Sequence, residues 1–223
     1  LPLQNNIDFG AGPEEGWKWT VNVQPVVPFK VSEDWNLITR TIFPVIYQSE
    51  LVEGTGSVFG LGDATSSLFL SPSKAGNVIW GAGPIFLFPT ATDNMLGSDK
   101  WGAGPSLIVL TMPGNWVVGG LLSNTWSFAG SGDNDVNLLS GQYFVNYNFK
   151  EGWYFTAQPI ITANWEAESG EEWTIPFGGG FGRVFKVGEQ AVNMNLQAYW
   201  NAVKPTNGPD WQLRFMVVFL FPK

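Results

Sequence analysis

The chain has no cysteine and no histidine. The first absence removes disulfides and thiol chemistry and suits an envelope protein that never depends on oxidative folding. The second removes Ser-His hydrolysis and the commonest metal ligand, so an enzyme is not expected and no metal or other cofactor is assigned. Charge is scarce as well: charged residues make up 13% of the 223, against about 25% in an average soluble domain. Half the usual charge means less water-facing surface. Long apolar runs are also missing, because Gly, Pro, Asn or a charge interrupts each one before the roughly 18 residues that a membrane helix needs. A chain of this kind that spans a bilayer does so with strands. The net charge of −8 argues against nucleic acid, whose binding rests on Lys and Arg contacts to phosphate.

What the chain does have is alternation. In the segment from Trp211 to Phe221, Trp211, Leu213, Phe215, Val217, Phe219 and Phe221 share one face, while Gln212, Arg214 and Met216 share the other. Greasy outside and partly polar inside is the pattern of a transmembrane β-barrel strand. Period-2 alternation bounded by turn residues divides the chain into twelve segments, at 2–10, 17–31, 35–50, 60–72, 78–92, 100–112, 116–129, 136–149, 153–167, 173–187, 191–204 and 211–222. The expected fold is all-β: one domain over residues 1–223, a single-chain antiparallel barrel of twelve strands. Twelve is even, as bacterial barrels require.

The connections alternate between tight turns (32–34, 73–77, 113–115, 150–152, 188–190) and longer, more acidic loops (11–16, 51–59, 94–99, 130–135, 169–172, 205–210). Short periplasmic turns and longer external loops are the asymmetry of an outer-membrane barrel, which puts both termini in the periplasm and the protein in a bacterial outer membrane. Leu1 is not an initiator Met, so the chain is read as a mature product whose targeting segment has been removed. The twelve tryptophans fall near strand ends, Trp35, Trp80, Trp116 and Trp153 after tight turns and Trp17, Trp19, Trp101, Trp126, Trp165, Trp173, Trp200 and Trp211 toward the loops. Two such belts match the headgroup levels of a bilayer, with membrane lipid and lipopolysaccharide as the surrounding partners. The competing reading is a soluble β-protein that binds carbohydrate on exposed Trp platforms, which have no need to track strand ends on both sides.

Sorting faces gives the candidate lumen. Lys18, Thr20, Asn22 and Gln24 point inward on the second strand, Tyr154, Thr156, Gln158, Thr162 and Asn164 on the ninth, and Asn193, Asn195, Gln197, Tyr199 and Asn201 on the eleventh. A second wall is small and apolar: Ile79, Gly81, Gly83, Ile85 and Leu87, then Gly102, Gly104, Ile108 and Leu110, then Gly178, Gly180 and Gly182. Such glycines mark either a bend or close backbone approach, or space carved for a ligand. The two Trp-Gly-Ala-Gly-Pro runs, 80–84 and 101–105, repeat this design, and Pro25, Pro44, Pro84, Pro105, Pro159 and Pro176 each imply a bulge or a lost ladder bond.

Inward charges are few: Asp8, Lys18, Arg40, Asp63 and Arg214, of which Asp8, Lys18 and Arg214 are expected to cluster as a brace when the ends of the chain pair. Arg183 falls on the lipid register, so either a bulge in Gly178–Gly180 turns it inward or it snorkels to the interface. The loop carboxylates (Glu14-Glu15, Asp133 to Asp135, Glu166 to Glu172) read as solvated charge; divalent ions fit them, but no calcium-loop spacing is present. Small outward residues such as Gly120 and Ala157 leave room for a second copy in a homo-oligomer, and lipid packing explains them equally well.

Phe59-Gly-Leu-Gly-Asp63 with the following Ser-Leu-Phe-Leu-Ser-Pro72, Pro89-Thr-Ala-Thr-Asp93, and Pro176-Phe-Gly-Gly-Gly-Phe-Gly-Arg-Val-Phe-Lys186 resemble the outer-membrane transporter-like family named for the phenol meta-degradation pathway. The resemblance runs almost end to end and implies admission of small hydrophobic or aromatic molecules. One departure is the end, where Pro222 and Lys223 follow the aromatic Phe221 on which barrel chains commonly finish. The expected function is passive uptake of a small, relatively apolar or aromatic solute through a narrow lumen. Asn22, Arg40, Asp63, Gln158, Asn195, Gln197, Tyr199 and Arg214, with Gly81, Gly83, Gly104 and Gly180, are the expected path, and Trp17, Trp35, Trp116, Trp153, Trp173 and Trp211 the interface belt. The alternative is a non-transporting structural or interaction barrel that contacts partners through its acidic loops.

Overall fold

Every strand of the computed structural model, which describes residues 1–74, 76–132 and 135–220, pairs with the strand before it and the strand after it in sequence. In chain order these are β1 (Pro2–Ala11), β2 (Gly16–Val23 continued by Val26–Lys30), β3 (Trp35–Gln48), β4 (Val58–Leu61 continued by Ala64–Pro72), β5 (Val78–Phe88), β6 (Lys100–Thr111), β7 (Trp116–Gly130), β8 (Asn137–Asn148), β9 (Trp153–Ala157 continued by Ile160–Asn164), β10 (Trp173–Val187), β11 (Gln190–Val203) and β12 (Trp211–Leu220). β1 pairs with β12 in antiparallel register, Leu3 opposite Val217 and Asp8 opposite Gln212. The sheet is therefore a closed antiparallel barrel of twelve strands, and closure removes the free edges that an open sheet would expose. The chain-end residues Phe221, Pro222 and Lys223, and Asp133 in the acidic loop, lie outside the described residues.

Proline punctuates the wall because it has no N–H to give to the ladder. β2 breaks at Gln24-Pro25 and β9 at Gln158-Pro159. Pro84 and Pro105 stand directly opposite each other on β5 and β6. At their level the β4–β5 pairs stop at Ser67–Ile85 and resume at Leu70–Ala82, and the β6–β7 pairs stop at Ala103–Trp126 and resume at Ser106–Ser123. The glycines beside them let the backbones close in. A Cβ on Gly83 would sit 1.9 Å from the Leu68 carbonyl oxygen, and one on Gly104 1.7 Å from that of Asn124.

β5 and β10 depart from expectation in ways that bear on the interior. β5 ends at Phe88 rather than running on to residue 92, because Pro89 breaks the ladder and Thr90 and Thr92 bond to β4 through their hydroxyls instead. The register shift between β10 and β11 lies at Ile175/Pro176, where Ala202 of β11 is left unpaired, and not within Gly178–Gly180, where pairing is continuous. Arg183 accordingly stays outward: its guanidinium lies 5.2 Å from the Trp153 ring centroid and Nε donates to the Glu151 carbonyl. A cation over an indole at a strand end keeps its charge at the polar boundary while its stem covers apolar surface.

The outward face is apolar, with aromatic clusters at both ends. Trp35 packs edge-on to Trp80 at 6.1 Å and Trp116 on Tyr147 at 4.7 Å at the tight-turn end. Trp17 packs on Tyr47 at 4.9 Å and Trp165 on Trp173 at 5.5 Å at the long-loop end, where Trp200 also faces Trp211 across the ladder. The Trp165 indole N–H donates to Asn124 at 3.2 Å, so even the polar edge of an outward ring is satisfied.

Candidate functional site

Inside the barrel, one wall is closed by its own hydrogen bonds. Tyr154, Thr156, Asn193, Asn195, Gln197, Tyr199, Gln212, Arg214, Gln4 and Asn6 all take inward registers on β9, β11, β12 and β1. Their side chains link in sequence. Gln197 donates to Asn195 at 2.6 Å, Asn195 to the Tyr154 hydroxyl at 3.0 Å, and the Tyr199 hydroxyl to Gln197. Tyr199 and Thr156 are fully buried and Gln197 nearly so. The glycines of β10 are the counterpart of this bulk: Gly182 faces Asn195, and a Cβ on it would sit 2.3 Å from the Tyr154 ring. Space that glycine opens on this side is filled by tyrosine.

Arg214 ties the wall together. Nε donates to Asn6 at 2.9 Å, Nη2 to Gln212 at 2.8 Å, and Nη1 to the Gln158 carbonyl at 2.6 Å. Gln158 sits at the break in β9, three strands away round the wall, so this last bond cuts across the interior. Because Pro159 interrupts the ladder, Gln158 has a free backbone group at each end of its own peptide, and its N–H is taken by the Tyr199 hydroxyl at 2.9 Å. The guanidinium also lies 5.0 Å from the Tyr199 ring centroid. Gln212 passes the contact on to Asp8 at 2.8 Å, and Asp8 stands opposite Lys18 in the β1–β2 register. The expected cluster of Asp8, Lys18 and Arg214 is thus assembled, with an amide as the go-between. The two ion pairs among the described residues lie elsewhere, Lys100–Asp135 at 3.2 Å and Lys204–Asp210 at 2.7 Å, both at the long-loop end.

The opposite wall is built differently. Val26, Ile38, Phe69, Ile79, Gly81, Ile108 and Leu110 surround a cavity of about 210 Å³ in the half of the lumen nearer the tight turns. Its polar lining side chains are Arg40 and Ser71, and Ser71 spends its hydroxyl on the Trp80 carbonyl at 2.7 Å. Arg40 makes one hydrogen bond among the described residues, from Nη2 to Gln24 at 2.8 Å, and Gln24 in turn donates to Gln4 of the amide wall at 3.3 Å. Arg40 is therefore the point where the polar network meets the apolar cavity.

The mouth at the long-loop end is narrowed by residues 89–99. Asp63 accepts from the N–H groups of Ala91 at 3.1 Å and Ser98 at 2.6 Å and from the Ser98 hydroxyl at 2.8 Å. Gly60 lies in the β4 register opposite the inward Ile46. A Cβ there would meet the Thr92 hydroxyl at 2.1 Å and Leu96 at 3.1 Å, and Leu96 is buried. The Gly-Leu-Gly-Asp run thus receives the loop on its glycines and fastens it with its carboxylate.

The twelve candidate path residues consequently separate by role. Gln158, Asn195, Gln197, Tyr199 and Arg214 form the closed network, and Asn22 stands beside it, opposite Gln4. Arg40 and Gly81 line the cavity. Gly83, Gly104 and Gly180 are close backbone approaches, and Asp63 is the clasp of a loop. Sequence reasoning passed over Thr90 and Thr92, because a strand drawn through residue 92 hid their turn chemistry, with Pro89 as the available signal, and over Ser98, a loop residue whose bonds to Asp63 span 35 positions. In the loops, Asp135 is held below the usual carboxylate range by its hydrogen bond and charge contact with Lys100, and Glu171 by the Thr206 N–H and hydroxyl.

The fold and this divided interior define a class: a closed twelve-stranded antiparallel barrel with an apolar outer face and a partly filled lumen. No family model and no curated protein matches the chain. Among solved structures, an outer membrane channel from Pseudomonas putida F1 superposes with a TM-score of 0.71 at 17% identity, over 99% of this chain and 93% of that one. The NanC porin superposes with a TM-score of 0.61 at 10% identity, over 99% of this chain and 100% of the porin. At these identities the likeness is one of fold.

Proposed function

We propose that this barrel sits in a bacterial outer membrane, both termini in the periplasm and the long loops outside, and mediates passive uptake of a small, relatively apolar solute. The observation that carries the reading is the apolar cavity of about 210 Å³ inside a barrel whose remaining interior is closed by hydrogen bonds. The aromatic clusters at both strand ends support a position in lipid, including lipopolysaccharide in the outer leaflet. The motif resemblance to the phenol meta-degradation family, and folds shared with an outer membrane channel and a porin, support the same class of activity. A lumen crowded by Tyr154, Tyr199 and Arg214 and capped by a clasped loop favours a narrow path over open diffusion. Planar-bilayer recordings test this: small or absent ion steps are expected together with saturable flux of an apolar solute into vesicles, and large ohmic steps overturn the narrow path.

The same crowding favours a second reading, a structural barrel that passes nothing. Arg40 separates the two, since Tyr154, Tyr199 and Arg214 are buried in the network while Arg40 is half-buried at the cavity. Absence of flux for every solute tried, with the barrel folded, is the result that selects the second reading.

A further inference from the structure

The two inward arginines differ in what they have left to give. Arg214 uses Nε, Nη1 and Nη2 on three partners and lays its plane near the Tyr199 ring. Arg40 donates one bond, to Gln24, and no carboxylate of the described residues lies within ion-pair distance of it. A guanidinium carries five N–H donors in a fixed fork that matches a carboxylate two bonds at a time. Most of the Arg40 donors are therefore unassigned at the rim of a cavity otherwise walled by Val26, Ile38, Phe69, Ile79, Ile108 and Leu110. These spare nitrogens are not sealed off from the lumen, so an anion that enters it can reach them.

The shape of the cavity limits the rest of the ligand. An apolar cavity of about 150 Å³ in another protein accommodates benzene, so about 210 Å³ holds one aromatic ring with a small substituent. The absence of a Cβ at Gly81 is part of that room: an added Cβ would stand 3.1 Å from Phe69 and 3.5 Å from Ile108. Of the five inward charges three are basic, Lys18, Arg40 and Arg214, and both acids are already engaged, Asp63 by Ala91 and Ser98 and Asp8 by Gln212 opposite Lys18.

We infer that this cavity is a binding site for a small monocarboxylate with an apolar body about the size of one aromatic ring, the carboxylate paired to Arg40 and the ring against Ile38, Ile79, Ile108 and Leu110. This deepens the uptake reading and rests on it for its role in transport, while the binding site itself stands on the cavity and Arg40. Gln24 of the amide wall takes Nη2 of the guanidinium, while Arg40 itself lines the cavity.

The test uses the folded barrel in dodecyl maltoside at pH 7.5, with 4-fluorobenzoate, 4-fluorobenzyl alcohol and acetate as probes followed by fluorine or proton NMR. The expected result is that fluorobenzoate binds saturably, that Arg40→Met weakens it at least about tenfold, and that Arg40→Lys restores part of the loss. The alcohol is expected to change by less than about twofold in Arg40→Met, because its contacts are apolar. Gly81→Leu, which fills the cavity, is expected to abolish binding of both aromatic probes. Heat-modifiable migration on gels verifies that each variant is folded. Equal losses of acid and alcohol in Arg40→Met overturn the inference, as do undiminished binding in Gly81→Leu or acetate binding as tight as that of fluorobenzoate. Vesicle flux is measured in parallel. Arg40-dependent binding without flux overturns the uptake reading and leaves the site standing, whereas flux with binding that ignores Arg40 overturns the site and leaves uptake standing.

Discussion

The β9–β1 side of the lumen and the β4–β7 side are lined with the same alternation, yet one is full and the other hollow. On the first side the inward glycines Gly178, Gly180 and Gly182 stand opposite Tyr199, Gln197 and Asn195, and buried amides and hydroxyls satisfy each other in one connected network. On the second, the inward side chains are small hydroxyls such as Ser67, Ser71, Ser106 and Ser123, or apolar groups too short to meet across the lumen, and beside Ile38, Phe69, Ile79 and Ile108 a cavity remains. Burying a polar group demands a partner, so polar side chains draw together and fill space; aliphatic side chains have no such demand and tolerate a gap. The two arginines show the difference in miniature, Arg214 locked into the full side and Arg40 bordering the hollow one.

The largest expected break in this contrast comes from the arginines. Arg214→Ala removes three hydrogen bonds at once, to Asn6, Gln212 and the Gln158 carbonyl, and is expected to cost roughly 2–4 kcal/mol, whereas Arg40→Ala, with one bond to lose, is expected to cost under about 1 kcal/mol. Urea unfolding in lipid vesicles measures both. Equal costs would erase the distinction between brace and binding group.

Glycines give the next test. Gly104→Ala drives a Cβ against the Asn124 carbonyl and is expected to cost about 2 kcal/mol by forcing the strands apart. Gly81→Ala meets Phe69 at 3.1 Å on the hollow side and is expected to cost less than about 1 kcal/mol. The same unfolding assay reads the pair.

A smaller effect belongs to the mouth. Asp63→Ala removes three acceptor contacts from residues 91–98 and is expected to cost about 1 kcal/mol while leaving the barrel intact. Hydrogen exchange at the Ala91 and Ser98 amides should rise in step, and unchanged protection would mean the loop is held by Leu96 packing instead.

The smallest effect is on the loops. Asp135 and Glu171 are held below their ordinary carboxylate range by their folded-state partners, so the contribution each makes is present above the unfolded carboxylate range and is lost as pH falls through the lower folded value. Asp135 is exposed and Glu171 half-buried in a surface loop, so the barrel melting temperature should hardly move. Acidification below about pH 4 should instead loosen the Lys100–Asp135 and Thr206–Glu171 contacts, visible as loop chemical-shift changes in NMR.

Much of this was legible in the chain. Period-2 alternation located all twelve strands, tight and long connections gave their order, and the tryptophans marked the strand ends. Register parity also separated the amide wall from the apolar one, since a strand whose outward face is apolar leaves its inward face no choice. The reach of Arg214 to Gln158 was not legible, because those residues are three strands apart and meet only once the barrel closes. Nor was the fate of each glycine: Gly81, Gly104 and Gly182 read alike in sequence, yet they line a cavity, press on a backbone and seat a tyrosine ring.

The sequence by itself determined the sheet, its closure into an even-stranded barrel and which side chains face inward, because these follow from local alternation and turn chemistry. Only the tertiary structure decided which part of the interior is full and which is open. That outcome depends on whether side chains from distant strands reach one another across the lumen, a matter of curvature and packing volume that no local pattern carries.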